Sequence, residues 1–278
     1  MHAPPDVQAW RERLPRLVDE CVEQWSLALG EPYAEGAGGF TAPAELADAT
    51  PVVLKVGLPH RESEHEADAL EAWDGDGAVR LLARDAERFA LLIERCAPAT
   101  PLAQVGAERA LDVLIELLPR LWIRAGDPFH TLRDEAAWWA SYLPERWERV
   151  APPFDRALLD VAMVALRSLP GTQRDEVLLH QDLHAENVLA SRREPWLVID
   201  PKPLLGEREL AVAPIVRSFE LGHGRSEVLY RFDRLTGELG LDRERARGWT
   251  IAQTLAWAFN SHYRRRHLET ATWLLEAA

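Results

Sequence analysis

The sequence contains little cysteine and no long run of apolar residues. Two cysteines, Cys21 and Cys96, among 278 residues are too few for a disulfide scaffold, so we expect a cytoplasmic protein. No apolar run approaches the length of a membrane span, and charged residues such as Arg11 and Glu12 are unlike a signal peptide. These shortages argue against disulfide-rich and membrane-embedded classes of protein.

Positive charge is also scarce. The chain has 45 acidic and 32 basic residues, a net charge of −13, and only two of the basic residues are lysines. A nucleic-acid partner is disfavoured, because binding to phosphates requires a basic surface. An acidic chain suits a cationic substrate, which an acidic cleft would attract, although a need for solubility explains the same charge.

The apolar pattern divides the chain into a strand-rich beginning and a helical remainder. Helical spacing begins at Val7 and continues to Val22, with a break or kink expected at Pro15. Short strands are predicted at residues 25–29, 40–46, 52–56, 79–82 and 89–94. Helices are predicted at residues 62–73, 107–122, 134–142, 154–169, 225–239, 249–260 and from there to the C-terminus.

Two prolines mark the expected boundary between the two parts. Pro98 and Pro101 indicate a linker, so we predict an N-terminal lobe at residues 1–96 and a helical lobe at residues 97–278. The helical lobe is interrupted by a predicted hairpin with strands at residues 187–190 and 195–199. A small strand-rich lobe followed by a larger helical lobe is an α+β arrangement.

Four residues in this framework have the order and spacing of a phosphoryl-transfer site. Lys55 lies in the strand 52–56, Asp182 and Asn187 form an Asp-x4-Asn pattern, and Asp200 ends the second strand of the hairpin. Such chemistry requires a positioned nucleotide, a bound Mg²⁺ and an oriented acceptor hydroxyl. We expect Lys55 to contact the phosphates of ATP, Asp182 to orient the hydroxyl, and Asn187 and Asp200 to give Mg²⁺ the oxygen ligands it prefers.

Further residues are candidates for nucleotide binding. Glu66, on the helix after the Lys55 strand, is expected to orient Lys55 through an ion pair, with Glu62, Glu64 and Glu71 as competitors on that helix. Backbone groups around Glu94 and Cys96 are expected to meet the adenine edge if this segment is the hinge between the lobes. The glycine-rich residues 35–40 either cover the phosphates or form only a flexible hairpin.

Simpler interpretations exist for each residue alone. A strand lysine is usually solvated, Asp-x4-Asn occurs by chance, and an aspartate before proline is a common turn residue. The order and spacing together favour the kinase interpretation. His180 and His184 also have helical metal-ligand spacing, but they lack the His-Glu-x-x-His pattern and lie in a predicted loop, which disfavours zinc.

The stretch from His180 to Leu189, followed by Glu194 to Gly206, resembles the aminoglycoside phosphotransferase family. The Trp-Leu-x-Ile-Asp-Pro-x-Pro-Leu-x-Gly run is the specific part and indicates the streptomycin 6-kinase and hydroxyurea phosphotransferase branch. The resemblance implies a bilobal protein-kinase-like fold, MgATP as donor and a small hydroxylated antibiotic as acceptor. It assigns catalysis to Asp182, the metal to Asn187 and Asp200, and the nucleotide to Lys55.

Two positions depart from that family's pattern. Gln181 stands where members often have glycine or tryptophan, and Ala211 stands where they often have an aspartate after the metal hairpin. We therefore expect an ATP-dependent O-phosphotransferase that resembles streptomycin 6-kinase, acts on a cationic aminoglycoside and is a monomer. The alternatives are a kinase of hydroxyurea or a sugar, and a nucleotide-binding pseudokinase.

Overall fold

The computed structural model describes residues 7–33, 39–150, 154–259 and 261–277. The chain forms two compact units, Met1–Thr100 with Leu189–Lys202, and Pro101–Val188 with Pro203–Ala278. The hairpin residues 189–202 thus pack with the N-terminal residues, although they lie far along the chain. The lobes at 1–96 and 97–278 stay a prediction.

Helices and strands in the described residues follow the α+β pattern. The strands are β1 (Ala28–Leu29), β2 (Gly39–Glu45), β3 (Pro51–Gly57), β4 (Leu81–Asp85), β5 (Ala90–Glu94), β6 (Glu176–Leu179), β7 (Val188–Ala190), β8 (Trp196–Val198) and β9 (Leu204–Glu207). The helices are α1 (Val7–Trp25), α2 (Glu66–Trp73), α3 (Ala107–Leu121), α4 (Leu132–Val150), α5 (Ala157–Ser168), α6 (Ala213–Val216), α7 (Arg225–Glu238), α8 (Arg243–Ala258) and α9 (Arg264–Glu276). No helix among these described residues is both long and apolar enough to cross a membrane.

The first unit is built on a five-stranded antiparallel sheet with the strand order β1-β2-β3-β5-β4. The central strand β3 buries Val52, Leu54 and Val56, which pack with Val18 and Cys21 of α1 in one apolar core. This central position holds β3 by hydrogen bonds on both edges. A side chain on β3 therefore has a fixed position.

The hairpin of β7 and β8 is joined to the first unit by backbone hydrogen bonds. The N–H of Val198 donates to the carbonyl oxygen of Gly77 at 2.9 Å, and the N–H of Val79 donates to that of Val198 at 3.1 Å. Ala190 bonds in the same way with Ala99 and Thr100. These bonds place the residues that follow β8 beside the N-terminal sheet.

The second unit is a helical layer with a small two-stranded sheet. Strands β6 and β9 pair antiparallel, with Glu176 opposite Glu207 and Leu179 opposite Leu204. Helix α8 packs against α5 and α9 and buries Trp249 and Leu255 completely. The sheet and α8 together position the loop that follows β6.

Several predicted elements are confirmed and some limits are wrong. The strands that carry Lys55 and Glu94, the predicted hairpin and the predicted helices are present. Trp25 was predicted to begin a strand, but it ends α1, because Ser26 turns left-handed (φ 52°) and Leu27 donates back to the Val22 carbonyl. Of the break or kink expected at Pro15, the break does not occur, because α1 continues through this exposed proline.

Candidate active site

Lys55, Glu66 and Asp200 form one charged cluster in the first unit. Lys55 projects from β3, where its register partners are Thr41 and Leu91. Its Nζ lies 2.7 Å from both carboxylate oxygens of Glu66 and also contacts Oδ1 of Asp200. The structure therefore pairs Glu66 with Lys55, as the sequence predicted.

The cluster keeps its lysine positively charged. Burial disfavours the Lys55 ammonium, but the Glu66 and Asp200 carboxylates outweigh burial and raise the pKa of Lys55. Burial also raises the pKa of Glu66, against the opposing effect of the Lys55 charge. Because two carboxylates face one ammonium, the raised pKa of Lys55 dominates and Lys55 stays protonated.

Asp200 has a backbone conformation that is unusual for its residue type. Its φ is 63°, in the left-handed region that aspartate tolerates better than most non-glycine residues. Its side chain is 49% exposed although it contacts Lys55. A strained backbone at an exposed carboxylate is a pattern found at functional sites.

Asp182 lies in the second unit, in the loop between β6 and β7. Its Oδ1 accepts a hydrogen bond of 3.2 Å from Nη2 of Arg217, which is 8% exposed and lies 4.2 Å from the centre of the Trp257 ring. The amide nitrogen of Asn187 donates to the backbone oxygen of Asp182 at 3.0 Å. The Asn187 amide therefore presents its oxygen, the atom that binds a cation, on the side away from this bond.

The same loop is fixed by Gln181 and Glu220. Gln181 is buried with a φ of 61°, and its carbonyl oxygen accepts from Gln253 of α8. Glu220 accepts from the Ala185 N–H at 3.0 Å and lies 3.5 Å from Nδ1 of His184. Burial opposes the charge on Glu220, but these hydrogen bonds hold its pKa below the usual value. The predicted loop conformation is confirmed, so His184 faces a carboxylate and not a second histidine across a helical turn.

Glu94 is the last residue of β5, and Cys96 follows it by two residues. The Glu94 carboxylate accepts hydrogen bonds from Nε and Nη2 of Arg193 and from the Arg80 N–H, so the side chain is occupied within the first unit. The Glu94 N–H donates to the Arg80 carbonyl at 2.9 Å. Burial raises the pKa of the Cys96 thiol to about 11, which leaves it protonated at neutral pH. The phosphate-covering role considered for residues 35–40 falls mainly on 35–38, outside the described residues.

Sequence reasoning missed three residues that organise these groups. Arg217 holds Asp182, Arg193 holds Glu94, and the buried Glu207 holds Arg245 at 2.8 Å and the indole N–H of Trp249. No motif marks Arg217 or Arg193 among thirty arginines. Glu207 could have been identified from the sequence, because it directly follows the apolar run that ends at Gly206, and a carboxylate buried with such a run needs a partner.

The model of a known family, aminoglycoside/hydroxyurea antibiotic resistance kinase, matches residues 25–264. The chain belongs to this family. It is 41% identical to a hydroxyurea phosphotransferase of Kitasatospora aureofaciens over 88% of this chain and 72% of that protein. It is 39% identical to the streptomycin 6-kinase of Streptomyces griseus over 89% of this chain and 83% of that protein.

Solved structures show the fold. The choline kinase LicA of Streptococcus pneumoniae superposes with a TM-score of 0.67 at 14% identity, covering 95% of this chain and 99% of that one. The aminoglycoside phosphotransferase APH(4)-Ia, in a thermostable mutant, gives a TM-score of 0.66 at 14% identity, covering 93% and 98%. The family member thus has the bilobal protein-kinase-like fold, with a small β-rich lobe and a larger helical lobe. It is a small-molecule kinase, and as a kinase it uses a nucleotide.

Proposed function

We propose that this kinase transfers the γ-phosphoryl group of ATP to a hydroxyl of a cationic aminoglycoside, with streptomycin as the first candidate. The observation that carries the proposal is the Lys55 ammonium held by both oxygens of Glu66 and in contact with Asp200. A half-buried, paired lysine beside an exposed carboxylate suits the phosphates of ATP and their metal ion.

The predicted site residues have different roles in this proposed reaction. In the first unit, Lys55 binds the phosphates, Glu66 keeps Lys55 in place, Asp200 is a magnesium ligand, and the backbone at Glu94 and Cys96 binds the adenine. In the second unit, Asn187 is the other magnesium ligand and Asp182 orients the acceptor hydroxyl for in-line attack. The donor set fits Mg²⁺, because it consists of hard oxygens and because the Asp200 carboxylate already accepts a cationic partner. When bound, Mg²⁺ would neutralise negative charge on the phosphates of ATP.

The choice of streptomycin rests on relatives and on charge. Two streptomycin 6-kinases, from Streptomyces griseus and Streptomyces glaucescens, are 39% and 38% identical to the chain. Streptomycin carries guanidinium groups, which suit a chain of net charge −13. Hydroxyurea is the second candidate, because a hydroxyurea phosphotransferase is 41% identical.

The test is phosphorylation by the purified protein with ATP and Mg²⁺. Streptomycin, hydroxyurea and a neutral sugar are supplied separately, and product is detected by mass spectrometry, with the Asp182→Ala variant as the control. We expect a phosphorylated streptomycin that the variant does not form above background. Product from hydroxyurea or the sugar alone would replace the proposed acceptor, and binding of MgATP without product from any acceptor would favour the pseudokinase alternative.

We also propose a cytoplasmic monomer. The two cysteines are buried and unbonded, which fits a reducing compartment. Light scattering on the purified protein tests the oligomeric state, with 31.4 kDa expected.

A further inference from the structure

Arg193 lies in the turn between β7 and β8, and its guanidinium uses every nitrogen as a donor. Its side chain is 21% exposed. Nε donates to both oxygens of Glu94 at 2.9 and 3.1 Å, and Nη2 donates to one of them at 2.9 Å. Nη1 donates to the Gly75 carbonyl at 2.7 Å and to Glu194 at 2.8 Å, and Nη2 donates to the Ala78 carbonyl at 2.7 Å.

These partners belong to different segments of the first unit. Glu94 ends β5, while Gly75 and Ala78 lie just after α2, the helix that carries Glu66. The guanidinium thus joins the hairpin turn, the end of β5 and the residues after α2. Neither of its backbone partners is a neighbour in sequence, so these three segments meet at this side chain.

The same segments are tied to the strand that leads to Asp200. Val198 of β8 exchanges backbone hydrogen bonds with Gly77 and Val79, on either side of Ala78. Asp200 follows Val198 by two residues and contacts Lys55, which Glu66 holds. A displacement of the segment at 75–79 would therefore reach Asp200 through β8 and Lys55 through Glu66.

We propose that Arg193 is a positioning residue for Asp200 and the Lys55–Glu66 pair, and that it thereby supports magnesium-dependent nucleotide binding. The inference rests on the proposed role of Asp200 as a magnesium ligand. Arg193 contacts none of the reacting groups and acts through the hairpin. Arginine is required because its rigid fork satisfies a carboxylate and two carbonyls at once, which a lysine ammonium cannot do in that geometry.

The experiment compares Arg193→Met and Arg193→Lys with Arg192→Met. Arg192 is the adjacent, exposed arginine, so its substitution removes the same charge from the same turn. Affinity for ADP is measured by calorimetry with and without Mg²⁺, since ADP binds without turnover. For Arg193→Met we expect MgADP affinity to fall about 10- to 100-fold, as when support of a metal ligand is lost. ADP without Mg²⁺ should lose much less affinity than MgADP, because Lys55 acts on the phosphates in both cases whereas Asp200 acts through the metal. Arg193→Lys should recover little, and Arg192→Met should match the wild type.

The outcomes separate positioning from a general structural role. Wild-type MgADP affinity in a folded Arg193→Met variant would overturn the inference, and so would an equal loss of affinity with and without Mg²⁺. If Arg193→Met does not fold, the Glu94→Gln variant tests the inference instead, because it keeps the size of the side chain and weakens the same hydrogen bonds. An unchanged magnesium dependence of ADP binding in Glu94→Gln would also overturn the inference. If Mg²⁺ does not change the ADP affinity of the wild-type protein, the proposed function itself is contradicted. If Mg²⁺ raises the wild-type affinity but the variants lack the expected loss, only this inference is contradicted.

Discussion

At the scale of single residues, the buried carboxylate of Glu66 fixes the direction in which Lys55 points. Glu66→Gln removes the charge that holds the Lys55 ammonium while keeping the size of the side chain. We expect kcat/KM for ATP to fall by about 10²-fold, since small displacements of a positioning group have effects of this size. Steady-state kinetics at saturating acceptor measures the change.

The matched control for this change is Glu71→Gln on the same helix. The Glu71 side chain is 65% exposed and lies 3.6 Å from Arg84. Surface pairs of this kind contribute little, so kinetics should match the wild type. Equal losses in the two variants would show that α2 tolerates no change of charge and would remove Glu66 from the proposed site.

Arg217 is expected to act on the reaction through Asp182. Arg217→Met keeps a side chain of similar length over the Trp257 ring but removes the donor to Oδ1 of Asp182. We expect kcat to fall, with little change in the KM for ATP, because the residues proposed to bind the phosphates and the adenine of ATP lie in the other unit. A double-mutant cycle with Asp182→Asn checks the pathway: the Arg217 effect should largely vanish when Asp182 is already neutral. Additive losses would instead indicate a separate structural role.

The charged residues of the motif could be predicted from the sequence, but most of the residues that form hydrogen bonds with them could not. Lys55 and Glu66 could be paired because they lie eleven residues apart on consecutive elements. Arg217 is 35 residues from Asp182, and nothing in its local sequence separates it from other arginines. The positive φ of Gln181 was likewise not predicted, because glycine is the residue that adopts this conformation readily and the sequence has glutamine there.

At the scale of elements, Gly206 sets how closely β9 approaches α4. A Cβ at this position would lie 2.7 Å from Cβ and 2.8 Å from Cδ2 of Leu132. Because the Cβ of Leu132 is fixed by its helix, the backbone would have to move. We expect Gly206→Ala to lower the free energy of unfolding by about 1–3 kcal/mol, as for other overpacked cores. Urea unfolding measures the change.

Two further variants test this explanation. Combining Gly206→Ala with Leu132→Ala should cost less than the sum of the single changes, since the smaller side chain makes room for the new methyl group. Gly237→Ala should have the opposite sign: no atom lies within 4 Å of its Cβ position in α7, so a gain of about 0.4–1 kcal/mol is expected. Strict additivity at 206 and 132 would exclude the steric cause.

Elements with a strong local pattern were predictable, and those defined by distant pairing were not. The β7–β8 hairpin followed from two short apolar runs close in sequence. The pairing of β6 with β9 was not predicted, because each strand has only four residues and paired residues are far apart in sequence; Leu178 and Leu205, for example, are 27 residues apart. Local periodicity carries no information about such a partner.

At the scale of the whole molecule, the net charge of −13 should act on the acceptor more than on the fold. A negative protein attracts a cationic substrate over distances limited by the Debye length, which falls from about 30 Å at 0.01 M salt to about 8 Å at 0.15 M. Attraction of this kind raises the rate of encounter and leaves contacts inside the site unchanged. Salt should therefore affect kcat/KM for a charged acceptor while leaving kcat almost constant.

We expect kcat/KM for streptomycin to fall several-fold as NaCl is raised across that range, with ATP and Mg²⁺ saturating throughout. Hydroxyurea, which is neutral, provides the internal control, because its kcat/KM should stay nearly constant if the enzyme accepts it. A neutral sugar serves the same purpose if hydroxyurea is not phosphorylated. Should both kinds of acceptor lose activity in parallel, salt would be acting on the protein or on nucleotide binding. A streptomycin reaction that ignores salt would mean that the excess of acidic residues serves solubility and not substrate capture.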